Sequence, residues 1–421
     1  MASNRRWDRE IARLAVPGLG ALVAEPLYIL TDTAVVGHLG TPQLGGLAVA
    51  GTVLTTAFWL FNFLAYGTTG AVARHYGAGN RRAAAAHSVQ AAWIAIGIGI
   101  LLTLAGVLAG RTAVGLMGAS EEVAGHALVY LRISAFGAPA VLLMLVGAGL
   151  MRGLQDTKTT LVVAVGSNLI NLVVEVVLIY AFGYGIGASA LATVIAQWAG
   201  AGVYLAILIR QVRGSGASLL PGTDGIGRMF SAGGALFVRT GSLLAALAVA
   251  TSVASRLGTT SVAAHQIAFQ LWSLLALVLD ALAIAAQAMV GRMLGAGDAR
   301  SARAVSHRLL RIGGAIGLGT AGVVFVVSPF VGRIFTSDPV VLDELRVLLL
   351  VVALMQPINA AVFVLDGVLI GASDFRYLAV AMVASTAVFL PLAIGVLLAD
   401  LSLVWLWAAL GVLMLTRLAG V

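Results

Sequence analysis

Five acidic side chains, Glu25, Asp32, Glu175, Asp280 and Asp366, and one basic one, Arg239, fall inside long apolar runs. An ionisable group at mid-membrane costs at least ~2.5–3.5 kcal/mol, so such residues face a cavity or a partner. Asn171 precedes Glu175 by four residues, one helical turn on the same face. At a rise of about 1.5 Å per residue, Asp32, Asn171, Glu175 and Thr193 all fall roughly 9–18 Å below the outer surface, so they could share one site. Two carboxylates, an amide and a hydroxyl offer two chemistries. Burial disfavours a charged carboxyl group and a second carboxylate disfavours it further, so the pair could hold a proton. Alternatively, the same oxygens could ligate Na⁺. The plainer alternative is that these groups only hydrogen-bond helices together. No helical site gathers His, Asp and Glu at transition-metal spacing, so no resident metal or cofactor is expected.

The second group of charges is Arg239, Asp280 and Asp366. Arg239 and Asp280 lie at similar depth, and an Arg–Asp pair neutralises two costly charges, so they are expected to pair structurally. Asp366 then remains as a spare acid that could line a cavity. Glu25, two helical turns from Asp32, could reach the same cavity. The histidines, His38, His75, His87, His126, His265 and His307, read as interfacial or topological residues rather than proton relays.

These residues are carried by membrane-spanning helices. The chain is 60% hydrophobic and 10% charged, whereas soluble domains run near ~45–50% and ~25%. Twelve apolar runs are read, near 12–37, 44–73, 88–110, 126–151, 159–183, 187–210, 228–255, 262–292, 308–332, 344–371, 378–399 and 402–420. Pro17 and Pro26 should bend the first. The start, MASNRRWDRE, does not read as a cleavable signal peptide. The net charge of +8 could suggest nucleic acid, but the basic residues sit in short loops without interleaved aromatics. With the N-terminus inside, 19 of the 25 basic residues fall at cytoplasmic ends, which puts both termini in the cytoplasm. There are no cysteines, and neither an HExxH motif nor a GxSxG turn occurs, so an enzyme is not expected.

The chain also matches itself at an offset of 218 residues. HLGT at 38–41 meets RLGT at 256–259, and RHYGAGNRRAA at 74–84 meets RMLGAGDARSA at 292–302. Pro139 meets Pro357, and GLMRGLQD at 149–156 meets GVLIGASD at 367–374. The expected fold is therefore an all-α polytopic membrane protein, with twelve transmembrane helices in two pseudo-symmetric six-helix lobes and a central cleft. The lobes are read as 1–210 and 228–421, joined by a cytoplasmic linker at 211–227. Asn80 and Asp298 are expected to start helices, and Gly77 and Gly295 to cap the preceding ones. The offset carries Asp32 to Ala250, Asn171 to Phe389, Glu175 to Ala393 and Thr193 to Gly411, so the polar cluster belongs to the first lobe alone.

DTAVVGHLG at 32–40, ALATVIAQ at 190–197, AAHQIAF at 263–269 and the paired GAGN and GAGD loops resemble the multidrug and toxic compound extrusion (MATE) family. LDALAIAAQAMVGRMLGAGD at 279–298 and VLDGVLIGASD at 364–374 resemble its DinF branch. The resemblance implies export of amphipathic, typically cationic drugs and dyes against inward H⁺ or Na⁺, by a multi-pass protein of the cell membrane acting as a monomer. It implies a first-lobe cation site at Asp32, Asn171, Glu175 and Thr193, with Pro17 as the family's proline near the start of span 1. The second acid is Glu rather than the usual Asp, which strains Na⁺ geometry more than proton binding and favours H⁺. Tyr28, Trp59, Phe63, Met144, Trp272, Met289, Met355 and Phe363 are candidates for an apolar cavity wall, each weighed against ordinary packing. A lipid or lipid-linked precursor flippase is the alternative function.

Overall fold

A computed structural model describes residues 2–222 and 226–420. Met1, Val421 and residues 223–225 of the expected linker lie outside the described residues, as does the side chain of Arg228. The elements are α1 (Ala2–Gly37), α2 (Thr41–Trp59), α3 (Phe63–Gly77), α4 (Arg81–Leu116), α5 (Glu121–Ser134), α6 (Ala138–Gly153) and α7 (Thr157–Val176). They continue with α8 (Ile186–Ser215), α9 (Ile226–Leu257), α10 (Thr259–Gly295), α11 (Ala299–Val331), α12 (Pro339–Ala372), α13 (Phe375–Leu398) and α14 (Leu403–Ala419). Among the described residues no strand is formed. Among the described residues eleven helical segments are long and apolar enough to cross a membrane, and α14, with 17 residues, is a shorter apolar twelfth. At 1.5 Å per residue it is about 25 Å long.

The chain forms two compact units, Val16–Phe230 and Met1–Ala15 with Ser231–Val421. The start of α1, which the sequence places in the first lobe, packs instead within the second unit. Arg308 donates two hydrogen bonds to the Asp8 carboxylate, at 2.7 and 2.8 Å. Arg292 pairs with Glu10 at 2.6 Å. Ile11 and Leu14 are buried against a cluster that includes Leu282 and Met289. The physical reason is complementarity: two acids and an i, i+3 apolar pair on α1 meet the arginines and apolar faces of α10 and α11. The helix continues unbroken through Pro17 and Pro26.

The duplication is visible in backbone detail. Gly40 and Gly258 share a positive φ, as do Gly79 and Gly297, and Gln155 and Ser373. Asn80 caps α4 by accepting from the Ala83 N–H at 2.9 Å, and Asp298 caps α11 by accepting from Ser301 at the same distance. Ser301, hydroxyl first and backbone second, holds the Asp298 carboxyl below its usual range. The left-handed residue before each cap is Gly79 or Gly297, two positions after the glycines expected to serve as caps.

The units differ where the first breaks two of its spans. Residues 60–62 interrupt α2 and α3. Phe61 and Phe63 both pack on the same core cluster, with ring centroids 6.0 Å apart. A regular helix would point residues two apart away from each other, so the break lets both face inward. A 3₁₀ turn at Ala135–Gly137 separates α5 from α6. Pro139 cannot donate to the carbonyl of Ala135, and Thr103 on α4 donates to it instead at 2.7 Å. The second unit has Ala321 at the position matching Thr103, and α12 runs through Pro357 without interruption.

Candidate functional site

In the first unit four helices converge on one buried polar cluster. Gln43 on α2 accepts from the Ile186 N–H at 3.0 Å and so fixes the start of α8. From there Ser189 and Thr193 lie one turn apart on the buried face of α8. On α7, Asn168 donates to the carbonyl of Ala24 at 2.7 Å, tying that helix to α1 just before Pro26. Asn171 and Glu175 continue the buried face of α7, and a π turn at Val177–Ala181 follows directly.

The expected residues Asp32, Asn171, Glu175 and Thr193 are all buried and meet there. Ser189 donates to Asp32 Oδ1 at 2.6 Å. Thr193 donates to the Ser189 carbonyl at 3.0 Å and accepts from Asn171 Nδ2 at 3.1 Å. The Tyr28 hydroxyl lies 2.8 Å from Thr193 Oγ1. Because the Thr193 proton points to Ser189, Tyr28 is the donor. Asp32 and Glu175 are close enough to interact as charges, and Tyr130 on α5 interacts with both. Glu175 is fully enclosed, at 0% exposure, and neither carboxyl oxygen accepts a hydrogen bond from a protein group. Ser189 and Tyr130 were not anticipated. Ser189 had a signal, since it precedes Thr193 by four residues. Tyr130 had none beyond a hydroxyl in an apolar helix. Tyr28, expected in a cavity wall, belongs to this cluster, whereas Glu25 lies on the exposed part of α1.

Several expectations in the second unit are corrected. Asp366 is not a spare acid. Arg239 and Arg417 both donate to its Oδ2, the latter at 2.6 Å. Arg239 reaches Asp366 as well as lying at the depth of Asp280, which is half-buried on α10. Arg417 reads in the sequence as a cytoplasmic marker, but it is buried, with Met414 Sδ 3.4 Å from its Nη1. Met289 is wholly buried core beside Ile11 and Leu14, and Met355 is likewise core. Both follow the packing alternative, since a flexible thioether fills gaps between close helices. Met144 is half-buried against the first unit's core.

The positions that replace the polar cluster in the second unit, Ala250, Phe389 and Ala393, are packed in one apolar core. Ser189 corresponds there to Trp407 and Tyr130 to Leu348, both fully buried.

A family model described as MatE matches residues 17–177 and 242–394. The chain belongs to the MATE family. Among similar MATE proteins is Protein DETOXIFICATION 44, chloroplastic, of Arabidopsis thaliana, 34% identical over 389 residues, covering 89% of this chain and 74% of that protein. DNA damage-inducible protein F of Escherichia coli (strain K12) is 31% identical over 427 residues, covering 99% of this chain and 92% of that protein. The fold matches a solved multidrug resistance MATE family transporter of the MOP superfamily in an outward-facing conformation, with a TM-score of 0.86 and 20% identity. That match covers 98% of this chain and 94% of the other. MATE proteins are transporters, and this chain is a multi-pass membrane protein with their helical fold.

Proposed function

We propose that this chain is a secondary active exporter of small amphipathic, cationic compounds, driven by inward H⁺ bound between Asp32 and Glu175. The carrying observation is the burial of two neighbouring carboxyl groups in one cluster, with Ser189 donating to Asp32 and Glu175 fully enclosed. Two buried carboxylates at close range do not both stay ionised without a cation. The choice of H⁺ over Na⁺ rests on Thr193. Its oxygen already accepts from Asn171 and Tyr28 while its proton goes to Ser189, so it has no lone pair left for a metal. The solved MATE structure is of a multidrug resistance transporter, which supports the substrate class.

The orientation, with both termini on the cytoplasmic side of the cell membrane, follows the skew of basic residues. The protein acts as a monomer. A lipid flippase would want basic groups for an anionic head group, whereas Arg239 and Arg417 converge on Asp366.

Proteoliposomes loaded with a fluorescent cationic dye and given a pH gradient or a Na⁺ gradient in turn test the reading. Dye should move with the pH gradient and not with Na⁺ alone. Asp32→Asn should abolish that movement while leaving the protein inserted and helical. Full transport by Asp32→Asn would remove the residue from the mechanism.

A further inference from the structure

The second unit replaces the Asp32 cluster with an apolar core, yet one titratable side chain is set in that core. His265 on α10 is 1% exposed. Its ring faces Trp407 of α14 at a centroid distance of 5.7 Å and stacks on Phe269 at 6.1 Å. Trp407 occupies the position that corresponds to Ser189, and Thr251 on α9 is adjacent to Ala250, the counterpart of Asp32. His265 itself corresponds to Leu47, an apolar core residue of the first unit, so this polar side chain is particular to the second unit.

Its hydrogen bonding fixes the tautomer. The Thr251 hydroxyl donates to the Leu247 carbonyl at 3.1 Å, so its oxygen is an acceptor for His265 Nε2, 3.3 Å away. The proton is then on Nε2, and Nδ1 is a bare acceptor. That Nδ1 and the Trp407 Nε1–H are both buried without a protein partner. One is an acceptor and the other a donor, and leaving each unmade costs about 1–3 kcal/mol. A single water accepting from Trp407 and donating to Nδ1 satisfies both.

We propose that the second unit holds a buried water site between His265 and Trp407, and that His265 Nδ1 is where this unit takes up a proton. The ligand is a water molecule or, in the loaded state, a hydronium ion that passes its proton to Nδ1 and remains as water. With the proton on, Nδ1–H and the indole N–H both donate to the two lone pairs of that water. The surroundings make the site selective for so small a ligand. On α12, Glu344 is engaged by Ser261, one turn from His265 on α10, at 2.9 Å. Arg256 at the end of α9 and Asp400 before α14 are exposed, and α13 contributes the apolar Phe389 and Ala393 to this core.

Solid-state ¹⁵N NMR of the full chain in lipid bilayers, labelled at histidine, tests the proposal without relying on transport. The His265 signals are those lost in His265→Asn. At neutral pH we expect a protonated Nε2 with a bare, hydrogen-bonded Nδ1, converting to the imidazolium form on acidification. Trp407→Phe, which keeps an aromatic ring but removes the indole donor, should shift the midpoint of that conversion. Thr251→Val, at an exposed position, should shift it as well. A proton on Nδ1 at neutral pH, an Nδ1 still bare when the protein unfolds in acid, or a midpoint unmoved in both variants would overturn the proposal.

Discussion

Ser189 and Thr193 divide the work of the buried cluster between one charge and one scaffold. Ser189 gives its proton to Asp32, a bond to a charged acceptor worth about 1.5–3 kcal/mol. Thr193 has its donor and both acceptor positions engaged and ties α1, α7 and α8 together. Ser189→Ala should therefore lower dye flux at a fixed pH gradient about tenfold or more, with helical content unchanged by circular dichroism. Flux within roughly twofold of wild type would detach Ser189 from the site. The sequence revealed Asp32, Asn171, Glu175 and Thr193 because charge in an apolar run, or an amide one turn from it, is costly and so conspicuous. Ser189 is passed over despite its i−4 spacing from Thr193, since a serine in a small-residue helix such as GASALAT reads as close packing. The sequence misplaced Arg417, because an arginine near a helix end looks the same whether it points to water or turns back to a buried carboxylate.

Helix pairs repeat their closest approaches across the duplication. A Cβ on Gly149 would lie 2.6 Å from the Ala65 carbonyl oxygen, and one on Gly367 would lie 2.5 Å from that of Ala283. The two contacts are related by the same offset of 218 residues, and each lets α6 approach α3, or α12 approach α10, backbone to backbone. A carbonyl cannot swing aside as a side chain can. Gly149→Ala and Gly367→Ala should each cost about 1–3 kcal/mol, seen as a lower melting temperature in detergent, while Gly97→Ala, with open space around it, should change little. The ion triad joining α9, α12 and α14 makes an asymmetric prediction. Asp366→Asn takes the shared carboxylate from the buried Arg417 and the half-buried Arg239, at a cost of about 3–5 kcal/mol. Arg417→Met keeps Arg239 on Asp366 and should be milder. If the two variants melted together, the triad would not be organised around Asp366. The spans themselves were legible because length and hydropathy define them. The interruptions at 60–62 and 135–137 were not, because they depend on where Phe61 points and on Thr103 supplying a donor from another helix.

At the scale of the whole molecule, α1 is one continuous helix that belongs to both compact units. Residues from Val16 onward carry Asp32 into the first unit, while the segment through Ala15 is fastened within the second. The partition at residue 210 could not show this, because sequence duplication marks where the gene repeated, whereas packing decides which core a segment joins. The Asp8–Arg308 and Glu10–Arg292 pairs are well exposed to screening, so their contribution to stability is small. Their consequence lies in holding one end of the helix whose other end carries Asp32. Asp8→Arg should therefore leave the melting temperature nearly unchanged and reduce dye export. Combining it with Arg308→Asp should restore export, because the swapped charges rebuild the same contact. If the single variant exports normally, or the swap fails to rescue a protein that still inserts and folds, the start of α1 is merely packed there and takes no part in linking proton binding to transport.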